Sequence, residues 1–468
     1  MTPRSRSSLR AAAGVALALA LATPAAAAPK EAEWRIPTAV KTLPNGLTVV
    51  VSEDHSTPTF GLCIAYRIGF RLEPKGRTGF AHLFEHMMFQ GTPNAPKGTY
   101  DRVIEGGGGI NNGSTRYDYT NYVVTAPVSA LEPVLWLEAD RMKMLDFSEK
   151  NLANQKEVVK EEIRVNVQNK PYGLFFWTDV AGTAFDKWEN AHDGYGSFAD
   201  LDAAQVADVK AFFGSYYGPN NAVLAIVGDV TPEEAFAKVE KVFGAIPARP
   251  TPPKPDVAEK ANAKERTLSQ TDPLANVPAV AVGWKLPARG TKDDVPAAVL
   301  GNLLAGGEAS RLYQGLVKGK ELLVEVDGGL NWPLDDPFSY EGPTLLTLFG
   351  LYKPETTAKA VVAAIDAEIA AIAKGNVGAA ELERTKTKMV SDLYGQLEMP
   401  LSRATAICLA QLFTGNPAGV NDLPGKIAAV TSADLARVAG TYLTAANRTV
   451  VDRRPEAKKP AAPEAAGK

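Results

Sequence analysis

The run Gly79-Phe-Ala-His-Leu-Phe-Glu-His-Met-Met-Phe89 decides how the rest of the chain is to be understood. Phe80, Leu83, Phe84 and Met87 recur at the spacing of one helix face, which predicts a helix. Positions three and four apart share a face, so His82, Glu85 and His86 project together. Two imidazoles at i and i+4 can grip one zinc ion, with Zn–N distances of about 2.0 to 2.1 Å. Glu85, one residue before the second histidine, is placed to act on water at the metal without being a ligand. The chain has four histidines, and two of them are here. A plain amphipathic core helix would account for the apolar residues. It would also bury a His-Glu-His cluster whose polar groups cost about 1 to 3 kcal/mol each if unsatisfied.

Upstream, residues 1–28 carry Arg4, Arg6 and Arg10, an Ala/Leu/Val run from Ala11 to Ala22, and Ala25-Ala-Ala-Ala28. A basic head, an apolar middle and a small-residue end predict a secretory signal peptide, and with it a periplasmic or secreted protein. No later stretch has 18 uninterrupted apolar residues, so no membrane span is expected. Removing three arginines and no acids takes the net charge from −3 to −6. A mildly acidic chain without a basic cluster excludes nucleic-acid binding as an expectation. Cys63 and Cys408, 345 positions apart, form no disulfide framework and read as two free buried thiols.

Downstream, Leu43-Pro-Asn-Gly46 is a turn signal, followed by strand-like runs at Leu47–Val51, Phe60–Ile68 and Tyr117–Thr125. Gly106-Gly-Gly-Gly109 has neither a feeding strand nor a following Gly-Lys-Ser/Thr, so it reads as a connector rather than a phosphate loop. Asn151–Gln168 reads as a helix with Glu157, Glu161 and Glu162 interleaved among Val158, Val159 and Ile163. A catalytic zinc usually takes three protein ligands. His55 and His192 have no partner motif, whereas this helix offers carboxylates; any one of the three glutamates taken alone reads more readily as part of a solvated helix face.

A shift of 226 positions brings Val209 onto Leu435, Phe212 onto Val438, Tyr216 onto Tyr442 and Asn221 onto Asn447. The same helix-turn-strand unit therefore closes both halves. The expected organisation is an α+β fold of two homologous domains, each an antiparallel sheet flanked by helices. The domains span 35–246 and 265–452, joined by a Pro-rich linker at 247–264 and followed by a disordered tail at 453–468.

Taken together, these segments resemble the pitrilysin family of inverzincin zinc metallopeptidases, which includes insulin-degrading enzyme and the mitochondrial processing peptidase. The resemblance rests on the motif run, on Gly109-Ile-Asn-Asn-Gly-Ser-Thr-Arg-Tyr-Asp-Tyr-Thr-Asn-Tyr, on Glu157-Val-Val-Lys-Glu-Glu-Ile-Arg, on Pro171-Tyr-Gly-Leu, and on Tyr217-Gly-Pro-Asn-Asn-Ala-Val-Leu-Ala-Ile-Val-Gly-Asp229. It covers nearly all of the mature chain and is similar to the half-length bacterial and mitochondrial type.

The resemblance implies one Zn2+ per chain, held by His82, His86 and a glutamate some 76 positions beyond the second histidine, which picks out Glu162. It implies Glu85 as general base and then acid in peptide-bond hydrolysis. It implies that substrate main chain adds to an edge strand at Asn111, Asn112, Gly113, Ser114 and Thr115. Gly113 stands where alanine is usual, and Gln155 where many members have a further glutamate. An arginine and a tyrosine that contact substrate in the family correspond here to Val317 and Val324. The expected partner beside the peptide substrate is therefore a related subunit supplying that pair in a heterodimer, with a homodimer as the other arrangement. Two such subunits would close a clamshell chamber over short or unfolded peptides. The rival expectation is a non-catalytic zinc-binding structural or chaperone-like subunit of the same fold.

Overall fold

Each half of the chain turns its β-branched and aromatic runs into one sheet. The first sheet contains β1 (Ala39–Thr42), β2 (Thr48–Glu53), β3 (Thr59–Tyr66), β4 (Ile110–Thr115), β5 (Thr120–Pro127) and β6 (Ala222–Gly228), in the order β1-β2-β6-β3-β5-β4. The second contains β7 (Arg266–Asp272), β8 (Ala279–Leu286), β9 (Leu323–Leu330), β10 (Thr344–Tyr352) and β11 (Arg448–Pro455), in the order β7-β11-β8-β10-β9. This computed structural model describes residues 34–250, 254–334 and 336–456. The expected signal peptide and the chain beyond Glu456 lie outside them. All elements named here belong to one unit, Ile36–Lys468.

Two expectations need correction. The sheets are mixed rather than antiparallel, because β2 runs parallel to β6 and β7 parallel to β11. Those strands come from opposite ends of each half, so no hairpin fixes their relative direction. The tail expected from Arg453 is not one over its first residues, since β11 continues through Pro455 and pairs Arg453 with Gln270 and Pro455 with Asp272. Its polar side chains do not prevent pairing, and Arg453 forms an ion pair with Asp179.

The 226-residue repeat is visible in hydrogen bonds. Asn221 Nδ2 donates to the carbonyls of Tyr216 (2.9 Å) and Arg67 (3.3 Å). Asn447 Nδ2 donates to those of Tyr442 (2.8 Å) and Lys285 (2.9 Å). In both halves the side chain ties the end of a helix to the sheet it feeds.

The halves also exchange helices. The helix Pro400–Thr414 packs Ala404, Ile407 and Cys408 against Cys63, Ala65, Val223 and Ala225 of the first sheet. Reciprocally, the helix Thr178–Ala184 packs Val180, Ala181 and Ala184 beside Ala279, Ala281 and Val451 of the second. Each approach occurs at a glycine. A Cβ on Gly61 would lie 2.5 Å from Leu401 Cα, and one on Gly283 would lie 2.7 Å from Val180 Cγ1. The described part of the linker is held as well, with Val257 O accepting from Asn190 Nδ2 (2.9 Å) and Asn262 N donating to Asn447 Oδ1 (3.0 Å).

Candidate metal and active site

The motif helix spans Phe80–Met87 and buries Phe80, Leu83, Phe84 and Met87. Phe84 stacks on Phe213, 5.8 Å between ring centroids, and lies 4.4 Å from Tyr217. These contacts fix the rotation of the helix about its axis, which decides where the opposite face points. The helix starts at Gly79, whose φ of 81° is left-handed and whose lack of a side chain offers no cap. The cap comes instead from Glu73, whose carboxylate accepts from Gly79 N (3.0 Å) and Ala81 N (2.8 Å). His192 Nε2 lies 3.0 Å from the same carboxylate, and its Nδ1 faces Trp188 O at 2.8 Å. Burial pushes the Glu73 carboxyl up, and His192 with the two N–H groups offsets only part of that. Burial works against protonation of His192, but the Glu73 carboxylate outweighs it and raises the imidazole.

The second helix, Glu149–Ile163, is capped by Ser148 and buries Leu152, Gln155, Val159 and Ile163. The three candidate carboxylates separate cleanly. Glu157 pairs with Lys160 at 2.6 Å and Glu161 with Arg164 at 2.9 Å, both far out in solvent. Glu162 turns inward to both histidines, with Oε2 at 3.5 Å from His82 Nε2 and 3.3 Å from His86 Nε2. A π-helical stretch, Arg164–Gln168, follows immediately. The His82 and His86 imidazoles hold the Glu162 carboxyl well below the usual carboxylate range.

The two Nε2 atoms are themselves 3.2 Å apart. Four ligands about 2.05 Å from a tetrahedral zinc stand about 3.3 Å from one another. The three measured separations thus match one face of that tetrahedron, and the donor set of two imidazoles and one carboxylate suits zinc. Among the described residues this is the one cluster of three or more His, Cys, Asp or Glu side chains able to share an ion. His55 sits elsewhere on the surface, between Glu53 and Asp229.

Glu85 is not part of the ligand triangle. Its Oε2 accepts a 2.5 Å hydrogen bond from Thr115 Oγ1, at the end of β4. A cleft of about 510 Å³ runs along this strand, lined by His82, Glu85 and Glu162, by residues 112–116, and by Leu174, Phe176, Trp177 and Tyr195. β4 is hydrogen-bonded to β5 on one side and is the last strand of its sheet. Its outer edge is a template for another extended chain. Asn112, Gly113, Ser114 and Thr115 line the cleft, whereas Asn111 does not, its Nδ2 lying 3.3 Å from Asp101. Val317 and the exposed Val324 lie outside the lining too.

Sequence reasoning missed Glu73, His192 and the side-chain role of Thr115. Glu73 and His192 are 119 positions apart, so no local pattern joins them. A larger cavity, about 1490 Å³, is elsewhere, bounded by Tyr119, by Asn121 and Val123 on β5, and by the helix Pro400–Thr414.

Residues 48–175 match the family model "Insulinase (Peptidase family M16)", and residues 203–389 match "Peptidase M16 inactive domain". The zinc protease PqqE of Helicobacter pylori is 30% identical over 424 residues, covering 88% of this chain and 92% of that protein. The uncharacterised zinc protease YmxG of Bacillus subtilis is 24% identical over 410 residues, covering 85% and 93%. A crystal structure of a protease from Helicobacter pylori has a TM-score of 0.83 at 27% identity, covering 90% of this chain and all of that one. The periplasmic protease PqqL from Escherichia coli shares the fold, with a TM-score of 0.71 at 18% identity, over 90% of this chain and 48% of that one.

Proposed function

This chain belongs to the M16 peptidase family, the pitrilysin or insulinase family, and on that premise we propose that it is an exported zinc-dependent endopeptidase acting on short or unfolded peptides. The observation that carries the reading is the juxtaposition of a zinc-sized His82, His86, Glu162 triangle with Glu85 and a free strand edge in one cleft. When bound there, a zinc ion supplies Lewis acidity and lowers the pKa of water toward about 7. Glu85 takes a proton from the attacking water and delivers it to the departing amine, leaving a carboxylate and a free amine. β4 aligns the substrate by main-chain hydrogen bonds, which demand little of its side chains. Phe176 and Trp177 give the cleft an aromatic wall.

Export rests on the Arg-headed apolar leader, and no described helix is long and apolar enough to cross a membrane. Val317 and Val324 leave this chain without the family's arginine and tyrosine, so the reading includes a related partner subunit that supplies them. The match to half the length of PqqL supports a chamber built from two such bodies.

The alternative, a non-catalytic zinc-binding subunit, draws on the match of residues 203–389 to an inactive domain. That match begins at residue 203, whereas all four site residues lie before it. The discriminating experiment is cleavage of a mixed quenched-fluorescent peptide library by the mature chain, alone and with the product of any neighbouring related gene. Turnover that Glu85→Gln abolishes supports the peptidase; zinc-loaded protein without cleavage under any pairing supports the structural subunit.

A further inference from the structure

We propose that Thr115 is a positioning residue for Glu85, fixing one oxygen of its carboxylate so that the other is presented to the cleft. The inference rests on the reading of Glu85 as the general base. It assigns Thr115 a side-chain role distinct from main-chain binding of substrate.

The proton count determines the direction of the bond. Thr115 Oγ1 and Glu85 Oε2 are 2.5 Å apart, and an ionised carboxylate can only accept. Thr115 therefore donates its single hydroxyl proton to Glu85. Its neighbour Thr120, directly opposite in the β4–β5 register, donates to Ile68 O at 2.8 Å and lies 3.4 Å from Thr115 Oγ1. With the Thr120 proton committed to Ile68 O, Thr120 does not compete for the Glu85 carboxylate, and the Thr115 proton is left to Glu85. Thr115 is buried, and a β-branched side chain has little χ1 freedom, so the donor is held rigidly.

Gly113 completes the arrangement two residues earlier, on the same face of β4. A Cβ at Gly113 would lie 3.0 Å from Glu85 Cγ and 3.1 Å from Oε1. Without one, the strand forms a shallow slot in which the Glu85 side chain lies, with Oε2 anchored. Among the described residues Oε1 accepts no side-chain hydrogen bond, and it remains the oxygen free to take a proton. A glutamate has three torsions to immobilise, and holding a catalytic group within about 1 Å of its working position can be worth on the order of 10²-fold in rate.

The test compares Thr115→Val, which keeps the shape and removes the donor, with Thr115→Ser, which keeps the donor. Both are assayed in the assembly that supports wild-type turnover, with zinc content measured alongside and Glu85→Gln as reference. The expected result is a fall in kcat of about 10- to 100-fold for Thr115→Val, with KM within about twofold and zinc unchanged. Thr115→Ser should stay within about threefold of wild type. If Thr115→Val folds poorly, Thr115→Ala against Thr115→Ser makes the same comparison. Equal losses in the serine and donor-free variants, or no loss in either while Glu85→Gln is inactive, would overturn the positioning role alone. Wild-type turnover in Glu85→Gln would overturn the general-base reading, and the positioning role with it.

Discussion

His82, Glu85 and His86 were legible because their geometry is local: three and four residues along a helix is a distance sequence measures directly. Glu162 needed the family resemblance, since Glu157, Glu161 and Glu162 are equivalent by composition and differ only in which way the folded helix turns them. Glu157 and Glu161 lie on the solvent side, paired with Lys160 and Arg164. Glu73 was not legible at all, because what it does depends on backbone N–H groups six and eight residues on and on a histidine 119 residues away. Removing its carboxylate takes away the side-chain cap of the motif helix and leaves His192 Nε2 without its acidic partner. Glu73→Ala should therefore destabilise the protein by about 3 kcal/mol, read as a drop in denaturation midpoint. An unchanged midpoint would mean the helix holds its position without that cap.

At the scale of elements, strand runs and helix faces were readable, while the parallel pairings and the helix exchange were not. Both depend on segments hundreds of residues apart meeting, and a periodicity carries no information about its distant partner. The two glycines at the helix crossings yield an unequal prediction. Gly61→Ala drives Cβ into the backbone of Pro400 and Leu401, whereas Gly283→Ala meets only a terminal methyl of Val180. Thermal melts should show Gly61→Ala losing about 2 to 3 kcal/mol and Gly283→Ala clearly less; the reverse order would contradict the packing described.

The same crossing carries a pH dependence through Asp54, which forms an ion pair with Arg403 on the helix Pro400–Thr414. Burial works to raise the Asp54 carboxyl, but hydrogen bonds from Ser56 and Arg403 outweigh it and hold the group at about 2. A depressed folded-state pKa contributes stability above the unfolded value of about 3.9, and that stability is lost as pH falls toward 2. Wild type should exceed Asp54→Asn by about 1 kcal/mol at pH 7, after allowance for solvent screening, and the gap should close between pH 4 and 2. A gap independent of pH would remove the ion pair from the account.

For the whole molecule, the duplicated architecture was legible from one repeated helix-turn-strand unit, but the intimacy of the two halves was not. Cys408 Sγ lies 3.5 Å from Cys63 O and 3.3 Å from Val223 O, so both thiols, free and fully buried, sit where the second half's helix crosses the first sheet. Burial pushes the Cys408 thiol up, which keeps it protonated and unreactive. An aromatic disulfide reagent should find no thiol in the native protein and two after unfolding in denaturant. Rapid native-state labelling would show that the halves separate.

On the proposed reading one zinc ion joins the motif helix to a glutamate 76 residues beyond His86, and metal stoichiometry decides it. Wild type, Glu161→Gln and Glu162→Gln should be purified without chelator, dialysed against a weak competing chelator, and assayed for zinc by mass spectrometry. The account predicts one zinc per chain in wild type and Glu161→Gln, and a near-complete loss in Glu162→Gln. Equal zinc retention in Glu162→Gln would contradict it.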